Sequence, residues 1–177
     1  MSYKALFLDR DGVINVDRGY VHTISEFEFV PGIFDLCLKA QQQGYKIVVV
    51  TNQSGIARGF YTEDDVRRLH IWMSQRFAQH NVLVSAIYYC PHHPDHGGVQ
   101  YQHNCLCRKP NPGMIKRAAR EGDIDLANSI MVGDKISDMQ AAQSAGITNR
   151  VLVSKTLAGD STHHATRVVS LIEHIEL

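Results

Sequence analysis

The sequence predicts an α/β fold, a doubly wound and mainly parallel sheet with helices on both faces. Three observations predict it. Short, almost uninterrupted apolar runs recur along the chain, as expected of strands buried on both sides. Segments with helix start and stop signals separate these runs, and polar clusters stand where the runs end. With 177 residues and 44% hydrophobic content, the chain suits one well-cored domain, residues 1–177.

The strands are expected, in order, at KALFL from Lys4, KIVVV from Lys46, SAIYY from Ser85, SIMV from Ser129 and RVLV from Arg150. Between them, one helix runs from near Pro31 to before Gly44, and a second follows Thr62, whose hydroxyl suits an N-cap. A third opens with Asn111 and Pro112 and ends before Gly122; a fourth follows Ser137 and ends before Gly146. Cys37, between Leu36 and Leu38, reads as core packing.

Eighteen basic and eighteen acidic residues balance, so overall charge argues against nucleic acid and anionic membrane as partners. The opening residues lack the apolar stretch of a signal peptide, and no run approaches a membrane span, which leads us to expect a cytoplasmic protein. With no evident interface segment, a monomer is expected.

The polar clusters gather at strand carboxyl ends. Asp9 and Asp11 follow the first strand, TNQSG from Thr51 follows the second, Cys90 and His92 the third, and GDKISD from Gly133 the fourth. In an open parallel sheet these ends share one rim, where such folds bind ligands. Residues two apart on an extended chain point the same way, so Asp9 and Asp11 project together, Arg10 points elsewhere, and Gly12 lets the backbone turn away. The two carboxylates could simply cap a turn. With Asp134 and Asp138 on the same rim, a hard cation such as Mg2+ becomes the better account, because clustered carboxylates repel one another without one.

Cys90, His92, Cys105 and Cys107 form Cys-x-His and Cys-x-Cys pairs that could close a tetrahedral Zn2+ site, with free thiols or a redox pair as the alternative. A shell filled by protein leaves no position for substrate, so such a zinc would brace the loop.

DRDGV, TNQSG, RKP and GDKISD, in that order, resemble the four motifs of the haloacid dehalogenase superfamily of phosphatases, over most of the chain. Within it, DRDGVIN, RGYV, TNQSGIARG, the cysteine loop and CRKPNPGM resemble the heptose bisphosphate phosphatases, which serve ADP-heptose synthesis for lipopolysaccharide. The resemblance implies Asp9 as the nucleophile forming an aspartyl-phosphate, and Asp11 as the acid that protonates the leaving oxygen and then the base that activates water. It implies Mg2+ on the Asp9 and Asp134 side chains and the Asp11 backbone carbonyl, with Lys109 and Thr51 at the phosphoryl group. Such help is needed, since a carboxylate meeting one unit of phosphate charge at 4 Å costs about 4 kcal/mol at an effective dielectric of 20. Asp138 could orient Lys109 or a metal-bound water, or offset a helix dipole. The resemblance also favours His92 over His93, His96 and His103 as the fourth zinc ligand.

The intervals where many relatives insert a cap domain read here as helices and the cysteine loop, which implies a rather open site. Selection of a small sugar bisphosphate would fall to rim residues: Asp17, Arg18, Gly19 and Tyr20; Asn52, Gln53 and Ser54; and Arg108 and Lys135, with Arg58 as a further cation. Two alternatives stay open at this point. A histidinol-phosphate phosphatase would favour acidic or aromatic partners for its substrate's ammonium, and a noncatalytic zinc-stabilised module would have no use for the Asp9 and Asp11 pair.

Overall fold

A computed structural model describes residues 2–156 and 163–177. Six strands form one parallel sheet in the order β3-β2-β1-β4-β5-β6, with β1 Lys4–Leu8, β2 Tyr45–Asn52, β3 Val84–Cys90, β4 Ile130–Gly133, β5 Asn149–Val153 and β6 Arg167–Val169. The helices are α1 Ile33–Gln42, α2 Glu63–Gln79, the short α3 Gly98–Tyr101, α4 Gly113–Gly122 and α5 Ile136–Ala145. The doubly wound prediction holds.

Alternation along the central strands builds two cores. Leu6, Leu8, Ile47 and Val49 face Ile33, Leu36, Cys37 and Ala40 of α1 and Leu69, Met73 and Phe77 of α2. Their neighbours Ala5, Phe7, Val48 and Val50 face Met114, Ile115 and Ala118 of α4 and Met139, Ala141 and Ala142 of α5. Because both faces are covered, the strands read as unbroken apolar runs. Cys37 is fully buried in the first core, and burial pushes its thiol pKa up.

Thr62 caps α2 as expected, accepting the Asp65 N–H at 3.2 Å. The fourth predicted helix starts earlier than its sequence suggests. α5 begins at Ile136, so Ser137 lies inside its first turn, and the Asp138 carboxylate accepts the Lys135 N–H at 3.0 Å. β6 is an addition to the predicted strands, three residues long and joined to β5. Strand order reverses between β1 and β4, which places Asp9 and Asp134 side by side at the switch point.

Candidate active site and thiol–imidazole cluster

At the carboxyl ends of β1, β2 and β4 lies a cavity of about 580 Å³. Asp9, Asp11, Asp17, Gly19, Tyr20, Asn52, Gln53, Ser54, Arg108, Lys109 and Lys135 line it, together with Tyr61 and Asp138.

Asp9 is 4% exposed, and its Oδ1 accepts the Arg10 N–H at 2.8 Å and Lys109 Nζ at 2.9 Å. Lys109 Nζ also donates to Val50 O at 2.8 Å and lies 2.6 Å from Asp138 Oδ1. Burial alone would lower the Lys109 pKa, but the Asp138 and Asp9 carboxylates raise it, so the ammonium is held charged. Asp138 meets the Lys109 ammonium through Oδ1 and accepts the Lys135 N–H at the start of α5 through Oδ2.

Asp9, Asp134 and Asp138 bring carboxylate oxygens within 4.8 Å of one another. Burial, then the Asp9 charge, pushes the Asp134 carboxyl up to about 8. Asp134 Oδ1 is buried without a hydrogen-bond partner among the described residues. An orphaned carboxylate oxygen beside a second carboxylate fits a hard divalent cation with oxygen ligands. Gly12, at φ 89°, makes room for this: a Cβ there would sit 2.1 Å from Asp134 Oδ2.

Asp11 stands apart from that cluster. Its Oδ1 accepts Arg10 Nη2 and Asn15 Nδ2, each at 3.0 Å, and its Oδ2 accepts Gln53 Nε2 at 3.0 Å. Arg10 does not simply point away, as alternation along an extended strand predicts. The chain leaves β1 at Leu8 and curls, so the guanidinium is fully buried beneath Asp11, donating also to Val21 O at 2.5 Å and to His70 Nε2 at 3.2 Å. Thr51 is buried at the end of β2, its Oγ1 accepting Gln53 Nε2 at 2.9 Å.

The expected rim residues divide. Lys135 Nζ reaches Asp17 Oδ2 at 3.3 Å; burial opposes but the Asp134, Asp9 and Asp17 charges keep its pKa raised. Arg108 follows the cysteine loop, its N–H donating to Cys105 Sγ at 3.3 Å and its Nη1 to His92 O at 3.3 Å. Arg18 is instead paired with Glu28 on the surface and does not line the cavity. Asn52 gives its amide to the Lys109 backbone. Sequence reasoning missed Asn15, Tyr61 and His70, and only a neighbour in space distinguishes them.

At the end of β3, Cys90 Sγ lies 3.1 Å from Cys107 Sγ and 3.4 Å from Cys105 Sγ, and His92 Nδ1 lies 3.3 Å from Cys107 Sγ. Three thiols and one imidazole converging in this way fit tetrahedral zinc. The other histidines are engaged elsewhere: His93 and His96 meet Arg58 at 3.2 and 3.0 Å, and His103 leans on the His92 ring at 4.1 Å.

Fold and site together define a haloacid dehalogenase-like hydrolase, and residues 106–172 match the family model described as "HAD-hyrolase-like". The chain is 52% identical over 153 residues to the D-glycero-beta-D-manno-heptose-1,7-bisphosphate 7-phosphatase of Vibrio cholerae, covering 86% of this chain and 82% of that one. It is 48% identical over 169 residues to the corresponding alpha-anomer phosphatase of Burkholderia mallei, covering 96% and 89%. Among solved structures, the D,D-heptose 1,7-bisphosphate phosphatase from B. bronchiseptica, complexed with magnesium and phosphate, matches with TM-score 0.83 and 39% identity over 96% of this chain and 94% of that one. A HAD-like phosphatase from Mesorhizobium loti matches with TM-score 0.86 and 34% identity, covering 95% and 80%. The chain belongs to the D-glycero-D-manno-heptose-1,7-bisphosphate 7-phosphatase family of phosphoric monoester hydrolases.

Proposed function

We propose that this chain removes the 7-phosphate of D-glycero-D-manno-heptose 1,7-bisphosphate, in ADP-heptose synthesis for lipopolysaccharide. The observation that carries the reading is the meeting of Asp9 and Lys109 in one cavity, with the orphaned Asp134 oxygen in the carboxylate cluster that Asp9 shares. Asp9 and Asp134, with the Asp11 carbonyl that the resemblance implies, would hold Mg2+, which when bound offsets phosphoryl charge.

Asp9 attacks phosphorus in line, the bond from phosphorus to the sugar oxygen breaks, and Asp11 protonates that oxygen. Asp11 then takes a proton from water, which attacks the aspartyl-phosphate and restores Asp9 with release of phosphate. Lys109 neutralises charge throughout and Thr51 donates a hydroxyl hydrogen bond. Arg108 and Lys135, with Asp17, Gly19, Tyr20 and Ser54, receive the sugar and its second phosphate, while the buried Gln53 amide is engaged with Asp11 and Thr51 instead. Asn52 contributes by holding the Lys109 backbone.

Residues 1–177 would act as one catalytic domain and as a monomer, a reading supported by the fact that one chain supplies every group used here. No helix among the described residues is long and apolar enough to cross a membrane. A doubly phosphorylated sugar does not cross a bilayer unaided, and we place the reaction in the cytoplasm on that ground.

The test is phosphate release with Mg2+ from heptose 1,7-bisphosphate and from histidinol phosphate, side by side. The bisphosphate should be strongly preferred; faster release from histidinol phosphate would replace the proposal with the alternative.

A further inference from the structure

Behind Asp11 lies a second relay that none of the steps above uses. Gln53 is 1% exposed and its Nε2 is shared between Asp11 Oδ2 at 3.0 Å and Thr51 Oγ1 at 2.9 Å. A primary amide can turn over, offering its oxygen where its nitrogen was, at little cost in shape. Here two contacts set which way it faces: the ionised Asp11 carboxylate only accepts and so takes Nε2, and Tyr61 Oη donates to Gln53 Oε1 at 2.7 Å from the other side. Tyr61 can supply this proton at every working pH, since burial pushes its pKa up to about 12.

The phenol is itself held in place. Tyr61 is 7% exposed and stacks on His22, ring centroids 4.9 Å apart and 16° from parallel. A Cβ at position 55 would stand 2.2 Å from Tyr61 Cε1 and 2.6 Å from its oxygen, so Gly55 is the residue that leaves space for the ring. On the other side of the carboxylate, Oδ1 is taken by Arg10 and Asn15. Oδ2 thus has one protein donor where Oδ1 has two, and it is the oxygen with a lone pair to spare for a travelling proton.

We infer that Tyr61 is a positioning residue for the reaction: through Gln53 it fixes Asp11 so that Oδ2 gives the proton to the leaving oxygen and takes one from water. This rests on the acid–base role proposed above for Asp11. Neither Tyr61 nor Gln53 touches the bond being broken in this account, so their loss should slow the proton transfers and leave binding intact.

The test uses the full chain with Mg2+. Tyr61→Phe keeps the ring and its stacking but deletes the donor. For a primary alkyl phosphate, kcat should fall about tenfold with KM changed by less than about twofold. With 4-nitrophenyl phosphate, whose leaving group needs no acid, phosphoenzyme forms at the normal rate but is hydrolysed slowly, so acid quenching should trap more of it than in the wild type. Gln53→Met, of similar volume, should reproduce both effects if Tyr61→Phe folds poorly, and the double variant should be no worse than either single one. Wild-type kcat in a folded Tyr61→Phe or Gln53→Met protein, while the wild type yields trapped phosphoenzyme, overturns the relay alone. No trapped phosphoenzyme in the wild type, with Asp9→Asn still active, overturns the parent reading of the site and the relay with it.

Discussion

Asn52 and Lys109 hold each other at both ends: Asn52 Nδ2 donates to Lys109 O at 3.1 Å, and the Lys109 N–H donates to Asn52 Oδ1 at 3.1 Å. The clamp ties the end of β2 to the start of the segment leading into α4, and so fixes the stem from which the ammonium reaches Asp9. Asn52→Ala should lower kcat by about ten- to a hundredfold, since a small displacement of a charge-stabilising group is costly in a preorganised site. Steady-state kinetics with a circular dichroism control for folding checks this. A folded variant with full activity would mean that Val50 O, Asp9 and Asp138 position Lys109 without the clamp.

Asp9→Asn should abolish turnover in a folded protein, because the amide is nearly isosteric and a poor nucleophile. Lys109 keeps Asp138 as its counter-charge, so the variant should not leave a buried cation unpaired. Phosphate release under saturating substrate is the measurement, and substantial turnover with contamination excluded would remove Asp9 as the nucleophile.

The thiol–imidazole cluster should hold about one zinc per chain in protein prepared without chelator. Cys105→Ser should lower both zinc content and thermal stability, because metal binding here is also folding free energy for the loop. Activity should still depend on added Mg2+. Metal analysis of pure protein settles it: no zinc, with the three clustered thiols freely reactive, would mean that this is a reduced thiol site.

Much of this was legible beforehand, and the reason is local. Strands such as Lys4–Leu8 and Tyr45–Asn52 are buried on both faces, so their apolar runs announce themselves. Asp9 and Asp134 could be brought together in advance because parallel strand ends share a rim, whereas Lys109 joined them only through the resemblance of RKP to a family motif. The inward turn of Arg10 could not, because it depends on how the chain curls after β1 and on a histidine supplied by α2. Tyr61 was invisible for a similar reason: its importance comes from one hydrogen bond and from the clearance at Gly55. The start of α5 misled because its cap is an aspartate at the third helical position, Asp138, where Ser137 offered a more familiar signal. β6 is simply too short to carry a pattern.

His70 predicts an acid sensitivity. Arg10 can only donate, so His70 Nε2 accepts and the ring is neutral; burial, then the Arg10 charge, pushes its pKa down to about 3. An unfolded histidine titrates near 6.5, so between about 6.5 and 3 the unfolded chain carries the extra proton and stability rises with pH. As pH falls from 7 to 5, this group should therefore take away about 2 kcal/mol. His70→Gln, which retains an acceptor for Arg10 but does not titrate, should lack that component. Urea unfolding of both proteins at pH 7 and pH 5 measures the difference, and equal losses would mean that His70 is not the group responsible.

Arg108 is expected to decide which phosphate leaves. The reacting phosphoryl group must sit against Asp9 and Lys109, which line the cavity, so the second phosphate of a bisphosphate lies outward along the rim. A primary C7 phosphate on a flexible arm reaches that place more easily than one attached directly to the ring at C1. The C1 phosphate then meets Arg108, whose position is fixed at both ends by the cysteine loop, through its N–H to Cys105 Sγ and its Nη1 to His92 O. A guanidinium offers phosphate paired, charge-assisted hydrogen bonds that a neutral side chain cannot replace, so Arg108→Ala should cost about 2 to 3 kcal/mol in kcat/KM for the bisphosphate. A simple monophosphate, which never reaches Arg108, should lose much less, and NMR of the wild-type product should identify heptose 1-phosphate. If the product is the 7-phosphate, or if Arg108→Ala slows both substrates equally, the substrate lies the other way round, and Lys135 with Asp17 and Tyr20 becomes the place to look for the second phosphate.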